Sequence, residues 1–204
     1  MKDALRYFAR AVDVTPRMAA QLIQRLRPMG FECIVAPYEA DAQLAYLSLS
    51  GYISAVISED SDLLVYGCAQ VLYKLDSNGY GSLIRLSDLP SCASFDFRSW
   101  SHDRFCWMCV LSGCDYLCNI KSIGLRSAYR IALRSTSVDQ VPVYVRSEVV
   151  FNYEPTFDTE FLKAVLVFRH QRVYDPINQE MVHLTPLSDQ DRELLKGDTD
   201  FLGP

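Results

Sequence analysis

The stretch FECIVAPYEADAQLAYLSLSGYISAVISEDSDLL, Phe31 to Leu64, decides the fold class. Phe31–Ala36 is a short apolar run with β-branched residues, which predicts a strand, and Pro37 stops it. A helix is predicted from Glu39 to Leu49, with Gly51 as its terminator. Ile53–Ser58 reads as a second strand. Strand, helix, strand in this order implies a right-handed crossover joining two parallel strands, so the chain is α/β. Each predicted strand is followed by a pair of acids, Glu39 with Asp41 and Asp60 with Asp62. Parallel strands place such pairs on one edge of the sheet, where α/β proteins bind ligands.

Upstream, Thr15 caps and Pro16 opens a helix with apolar residues at Met18, Leu22, Ile23 and Leu26, ending at Gly30. Downstream, Val71–Leu75 and Ser82–Leu86 flank Asn78-Gly79, which predicts a hairpin. Ser101 begins a helix whose segment Phe105–Leu111 is apolar on every side and therefore buried, and Gly113 ends it. A short hairpin leads into a helix over Gly124–Leu133. A further amphipathic helix spans Asp158–Arg169, Tyr174-Asp175-Pro176 is a turn, and the last ten residues read as frayed.

The 204 residues are 50% hydrophobic and 22% charged, a globular composition that excludes collagen-like and disordered chains. The longest uncharged run, between Asp41 and Glu59, contains four Ser, one Gln and two Tyr, so it is no membrane span. Lys2, Asp3, Arg6 and Arg10 interrupt any secretory apolar segment. Seven Cys without a regular framework point to a reducing compartment. The net charge of −5 argues mildly against nucleic-acid binding, but the charges are segregated. Residues 1–30 hold six Lys/Arg, residues 32–62 hold six acids and no Lys or Arg, and residues 115–134 set Lys121, Arg126, Arg130 and Arg134 against Asp115 alone. Solvated faces cluster charge in the same way, so this pattern leaves both readings open.

Four carboxylates gathered on one edge repel one another, and a divalent cation relieves that repulsion; an all-oxygen set selects Mg²⁺ or Mn²⁺. Taken separately, the same acids are ordinary in the first turn of a helix or at a cap. Asp115 adds weight, because it follows the C-terminus of a buried helix, where the dipole disfavours an anion. Arg126, Arg130 and Arg134 recur at i, i+4 and i+8, opposite an apolar face of Leu125, Ala128, Tyr129 and Ala132. Gly124 leaves the helix N-terminus open to a phosphate. Cys106, Cys109, Cys114 and Cys118 are not read as a metal cluster, since the first pair lies inside an all-apolar helix. His102, His170 and His183 are scattered, and Trp100 and Trp107 read as core or interface residues.

The runs YEADAQLAYL (Tyr38–Leu47), SEDSDLL (Ser58–Leu64) and LSGCDYL (Leu111–Leu117) resemble the structure-specific 5′ nucleases, the flap endonuclease/XPG-like family, and within it the mismatch-repair exonuclease branch. The resemblance covers most of the chain, weakens after about residue 135 and returns at Val173–Pro176. It implies a PIN-like 5′ nuclease fold: a central, mainly parallel sheet flanked by helices, with a C-terminal helix–two-turn–helix DNA-binding element. It implies that Glu39, Asp41, Asp60, Asp62 and Asp115 serve a two-Mg²⁺ site, with Mn²⁺ as a substitute, in a 5′→3′ DNA exonuclease and flap endonuclease. It further implies DNA contacts from Lys74, Lys121, Gly124, Arg126 and Arg130, and a K⁺ held in the hairpin by Ser112, Asn119 and Ile123. The expected partners are DNA with 5′ ends, nicks, gaps or flaps, mismatch-repair proteins and a sliding clamp, in the nucleus and away from membranes. Ser122 stands where the family usually has Gly, and Ser127 where it often has Lys.

The implied domains are 1–15 as the end of a helical arch, 16–118 as part of the nuclease core, 119–185 carrying the helix–two-turn–helix, and 186–204 as a tail. The family's domain begins upstream of the point matched by Met1, with a first strand, two further Asp ligands, a DNA-bending wedge and a basic gateway helix. The expectation is therefore duplex binding without unaided cleavage. Two alternatives stand beside the nuclease reading: a catalytically silent DNA-binding chain and a PIN-type ribonuclease.

Overall fold

The structure is a computed structural model describing residues 13–118, 120, 122–148, 153–195 and 197–203. The chain divides into two compact units, Met1–Val35 and Ala36–Pro204. Residues 1–12 of the expected arch remnant lie outside the described residues.

In the first unit, Thr15 accepts the Met18 N–H at 3.3 Å and starts helix α1 (Pro16–Leu26) with Pro at its first position, as the sequence predicts. A 3-10 turn (Arg27–Met29) closes on Gly30. The strand expected at Phe31–Ala36 does not form: these residues enter no ladder among the described residues. Phe31 and Val35 are 56% and 68% exposed, so the run has neither a pairing partner nor a buried face.

The second unit starts with helix α2 (Ala40–Leu49), which buries Ala42, Gln43, Ala45 and Leu47. Strand β1 is only Val56–Ile57, shorter than the expected Ile53–Ser58, and helix α3 (Asp62–Val65) follows it. β1 pairs in parallel with β2 (Gln70–Tyr73), joining Val56 to Val71. The parallel pair is thus real, but its second member lies after β1 rather than before α2. β2 pairs antiparallel with β3 (Ser82–Arg85), so this sheet is mixed rather than mainly parallel.

The predicted hairpin turn is present. The Asp76 carboxylate accepts the N–H groups of Asn78 (2.8 Å) and Tyr80 (2.9 Å), and Gly79 takes the left-handed conformation at φ +85°. At Gly81 a Cβ would lie 2.8 Å from the Tyr73 carbonyl oxygen, so no side chain fits there.

Helix α4 (His102–Ser112) is capped by Ser101, which accepts the Arg104 N–H, and it buries Phe105, Cys106, Trp107, Met108, Val110 and Leu111. Helices α5 (Leu125–Arg134), α6 (Gln140–Glu148) and α7 (Phe157–His170) build the rest of the core around the fully buried Phe161. On α5 the buried residues are Ala128, Ile131 and Ala132; Leu125, expected inside, is exposed because it sits at the open first turn. Trp100 stacks on Tyr129 at 4.9 Å and Trp107 is buried, so both tryptophans serve packing.

The Tyr174-Asp175-Pro176 turn is the near end of a hairpin pairing β4 (Arg172–Asp175) with β5 (Glu180–His183). Described residues of the tail form two short helical elements, Asp189–Leu195 and a 3-10 turn at Asp200–Leu202. Ser188 and Asp191 cap one another at the start of helix α8 (Asp189–Leu195). Leu195 and Leu202 pack against Leu166 and Val167, and that burial holds the tail down.

Candidate metal and DNA-binding site

Four segments of the second unit bring the five candidate carboxylates together. Glu39 is the N-cap residue of α2 and Asp41 lies in its first turn. Asp60 sits in the loop after β1, and Asp62 is the first residue of α3. Asp115 occupies the turn after α4, closed by a bridge between Cys114 and Leu117. The short loop is locally fixed: Asp60 takes the Ser58 hydroxyl as acceptor for its N–H at 3.0 Å, and its own carboxylate accepts the Asp62 N–H at 2.9 Å.

The carboxylates repel one another. Burial pushes Asp62 up from 3.8 to about 6, with further contributions from Asp60, Asp115, Asp41 and Glu39. Asp41 rises through burial and the charges of Asp60 and Glu39. The ion pairs among the described residues involve none of these five acids. Nor, among the described residues, do any three His, Cys, Asp or Glu side chains already stand at the spacing of an ion cage. The cluster is an electronegative patch of oxygen donors, a set whose chemistry suits Mg²⁺ or Mn²⁺.

Two tyrosines that sequence reasoning gave no role complete the patch. The Tyr116 hydroxyl donates to Glu39 Oε2, and the hydroxyls of Tyr66 and Tyr116 lie 2.6 Å apart. Burial pushes both phenols well above their ordinary range, which keeps them neutral donors. The LSGCDYL run contains Tyr116, but only the fold brings positions 39, 66 and 116 together.

Lys74 follows β2 in the left-handed region at φ +54°, and its N–H donates to Glu59 Oε1 at 2.7 Å. The Lys74 side chain is exposed. Helices α4 and α5 pack along each other across the short hairpin. Gly124 is the N-cap residue of α5 and supplies no side-chain cap, and the space beside its Cα is open among the described residues. Arg126 is exposed beside that opening, whereas Arg130 pairs with Glu148 at 3.4 Å and Arg134 lies 4.4 Å over the Tyr144 ring. The predicted arginine stripe therefore holds one free cation and two engaged ones among the described residues. Ser112 donates its hydroxyl to the Cys109 carbonyl, and Ile123 is buried with its N–H on the Ile120 carbonyl. Asn119 and Lys121 lie outside the described residues.

Residues 30–115 match the XPG I-region family, which spans four of the five carboxylates and reaches the fifth at its last residue. Over that region the chain is similar to the XPG-like nucleases. It is 38% identical over 201 residues to Exonuclease 1 of Arabidopsis thaliana, covering 98% of this chain and 27% of that relative. It is 40% identical to Exodeoxyribonuclease 1 of Schizosaccharomyces pombe over 98% of this chain and 34% of the relative. The chain thus spans about a quarter to a third of these relatives. The solved flap endonuclease-1 from Methanococcus jannaschii superposes with a TM-score of 0.61 at 27% identity, over 98% of this chain and 56% of that one. The Holliday junction-resolving enzyme GEN1, solved with product DNA and Mg²⁺, shares the fold at 21% identity and a TM-score of 0.60, over 92% of this chain and 51% of that one.

Proposed function

We propose that this XPG-like chain carries the metal-binding carboxylates and the duplex-gripping hairpin of a Mg²⁺-dependent 5′→3′ DNA exonuclease and 5′ flap endonuclease acting in DNA repair. The carrying observation is the cluster of Glu39, Asp41, Asp60, Asp62 and Asp115, in which burial and the charges of the other four lift Asp62 to about 6, with no Lys or Arg ion-paired to any member among the described residues. Divalent ions bound there would supply activation of the attacking water and charge stabilisation at the leaving 3′ oxygen. The chain's own part is to hold the ligands. α2 presents Glu39 and Asp41, the capped 58–62 loop presents Asp60 and Asp62, and the α4 turn presents Asp115.

Exposed Lys74, exposed Arg126 and the uncapped start of α5 suit a phosphate backbone read without base contacts. Ser112, Asn119 and Ile123 are proposed for the K⁺ of the hairpin. Mismatch-repair partners, a sliding clamp and a nuclear location belong to the same reading. No helix among the described residues is long and apolar enough to cross a membrane.

Mn²⁺ titration of this chain, followed by incubation with a 5′-labelled, 5′-recessed duplex, tests the proposal. The expected result is saturable Mn²⁺ binding that disappears in Asp60→Ala/Asp62→Ala. Any metal-dependent cleavage should disappear with it. Absence of Mn²⁺ binding at millimolar ion, or cleavage that survives the double substitution, overturns the assignment. Preferential cleavage of single-stranded RNA would favour the ribonuclease alternative.

A second reading, duplex binding without chemistry, draws on free Arg126 beside the open helix end. Reversing Arg126 and Arg130 to Glu is expected to weaken duplex binding by about 10-fold and to flatten the log–log salt dependence by roughly two. Unchanged affinity across a salt series removes the hairpin from the binding surface.

A further inference from the structure

Tyr66, Tyr116 and Glu39 form one hydrogen-bonded line from the core to the carboxylate cluster. Its polarity is fixed by chemistry. An ionised carboxylate only accepts, so Tyr116 donates to Glu39 Oε2, and Tyr116, its single proton spent, accepts from Tyr66 across 2.6 Å. Each bond polarises the next, which strengthens the terminal one.

The line is anchored. Tyr66 is 4% exposed, and Phe168 of α7 packs against both rings, with centroids 4.7 Å from Tyr66 and 5.1 Å from Tyr116. Its other end is well placed. Glu39 has no Lys or Arg partner among the described residues, and Oε2 is the oxygen the phenol occupies.

We infer that the Tyr66–Tyr116 pair is a positioning device for Glu39: it clamps one carboxylate oxygen, fixes the rotamer and presents Oε1 to a divalent cation. This inference rests on the metal-binding reading of the carboxylates. A neutral phenol suits the task better than an arginine. It orders the carboxylate and disperses part of its charge without bringing a cation that would compete with the ion. Tyr116 and Tyr66 act through Glu39 and are positioning residues, the usual relation between a metal ligand and the group hydrogen-bonded behind it.

Mn²⁺ affinity, measured by calorimetry or by the spin signal of free Mn²⁺, tests the inference on wild type, Tyr116→Phe, Tyr66→Phe and the double variant. Each protein's melting temperature in EDTA reports its folding. Tyr116→Phe is expected to bind Mn²⁺ about 10-fold more weakly while remaining folded. Tyr66→Phe keeps the direct bond and should lose roughly threefold, through the weaker polarisation of that bond. The double variant should match Tyr116→Phe alone, because Tyr66 has no route to Glu39 once the Tyr116 hydroxyl is gone. A purely structural pair would lower the melting temperature additively and leave Mn²⁺ affinity within twofold of wild type. That result overturns the inference while the metal reading stands. A wild-type chain that binds no Mn²⁺ overturns both, and a folded Tyr66→Phe weaker than Tyr116→Phe reverses the proposed polarity.

Discussion

Replacing Asp62 with Asn is expected to raise the melting temperature of the ion-free protein by roughly 2–5 °C at pH 7.5. Asp62 is held at about 6 rather than 3.8 by burial and by four neighbouring carboxylates. That difference corresponds to about 3 kcal/mol of disfavoured ionisation. Asp62 is only half-buried, and solvent screening reduces the figure to about 1–2 kcal/mol. The sign follows from proton counts. Between pH 3.8 and about 6 the folded state binds the Asp62 proton more tightly than the unfolded chain does, so this group costs stability as pH rises through that window. Above about 6 the full cost is present.

The gap between variant and wild type should therefore be small at pH 4, open up to about pH 6 and then level off. Millimolar Mn²⁺ should stabilise the wild type and not the variant, reversing their order. Thermal denaturation in EDTA across pH 4–8, then with Mn²⁺, reads all of this. A variant no more stable than wild type in EDTA at pH 7.5 would show that burial and repulsion together cost Asp62 little, and the electrostatic case for an ion would go with it. A residue whose removal stabilises the resting protein is retained for something other than folding.

Elements with explicit boundary chemistry were legible in the sequence. Thr15-Pro16, Ser101, Asp76 with Asn78-Gly79, and Gly51 each mark a boundary that the structure places where the local rules require it. Elements decided by tertiary packing were not. Gln140–Glu148 alternates Val141, Val143 and Val145 and contains Pro142, which reads against a helix. Burial of Val141 and Val145, one helical turn apart, makes it α6. Phe31–Ala36 fails in the opposite sense: strong strand propensity with no ladder to join among the described residues. At Tyr174-Asp175-Pro176 a turn was legible but its hairpin was not, because Gln179, not Gly, takes the left-handed position at φ +57°, while the Asp175 carboxylate accepts the N–H groups of Ile177 and Asn178. Helix α8 had a readable signal, the Ser188-x-x-Asp191 box, in a segment short enough to pass for a tail.

At the site, Glu39, Asp41, Asp60 and Asp62 stood out in the sequence because paired acids after apolar runs are a local pattern, and Asp115 because it follows the end of a buried helix. The partners that hold them were not. Tyr66 lies 27 positions from Glu39 and Tyr116 lies 77, separations that only the finished fold closes. Gln43 shows the same effect. Its buried amide exchanges hydrogen bonds of 2.8 and 2.7 Å with the backbone of Tyr174, tying the start of α2 to β4 across 131 positions.

Phe168→Ala is expected to cost about 3–5 kcal/mol, the largest effect of any substitution considered for this chain. Phe168 is 2% exposed in the last turn of α7, and it is the surface against which the Tyr66 and Tyr116 rings lie. Truncation removes a buried ring and leaves a cavity beneath two phenols whose hydroxyls are committed to a directional chain ending at Glu39. The rings can settle into the cavity only by drawing their hydroxyls off line. Relaxation that recovers packing therefore breaks hydrogen bonds, and relaxation is correspondingly poor. Phe168→Leu fills most of the space and should cost about 1–2 kcal/mol. Chemical denaturation midpoints for the two variants, with unchanged slopes, give the comparison directly. A Phe168→Ala cost below about 1 kcal/mol would mean that the site collapses freely. In that case the ring does not anchor the tyrosines, and the rigidity assigned to Glu39 would have to come from α2 itself. The expected result makes one aromatic ring, far in sequence from all five clustered carboxylates, the support on which the orientation of Glu39 depends.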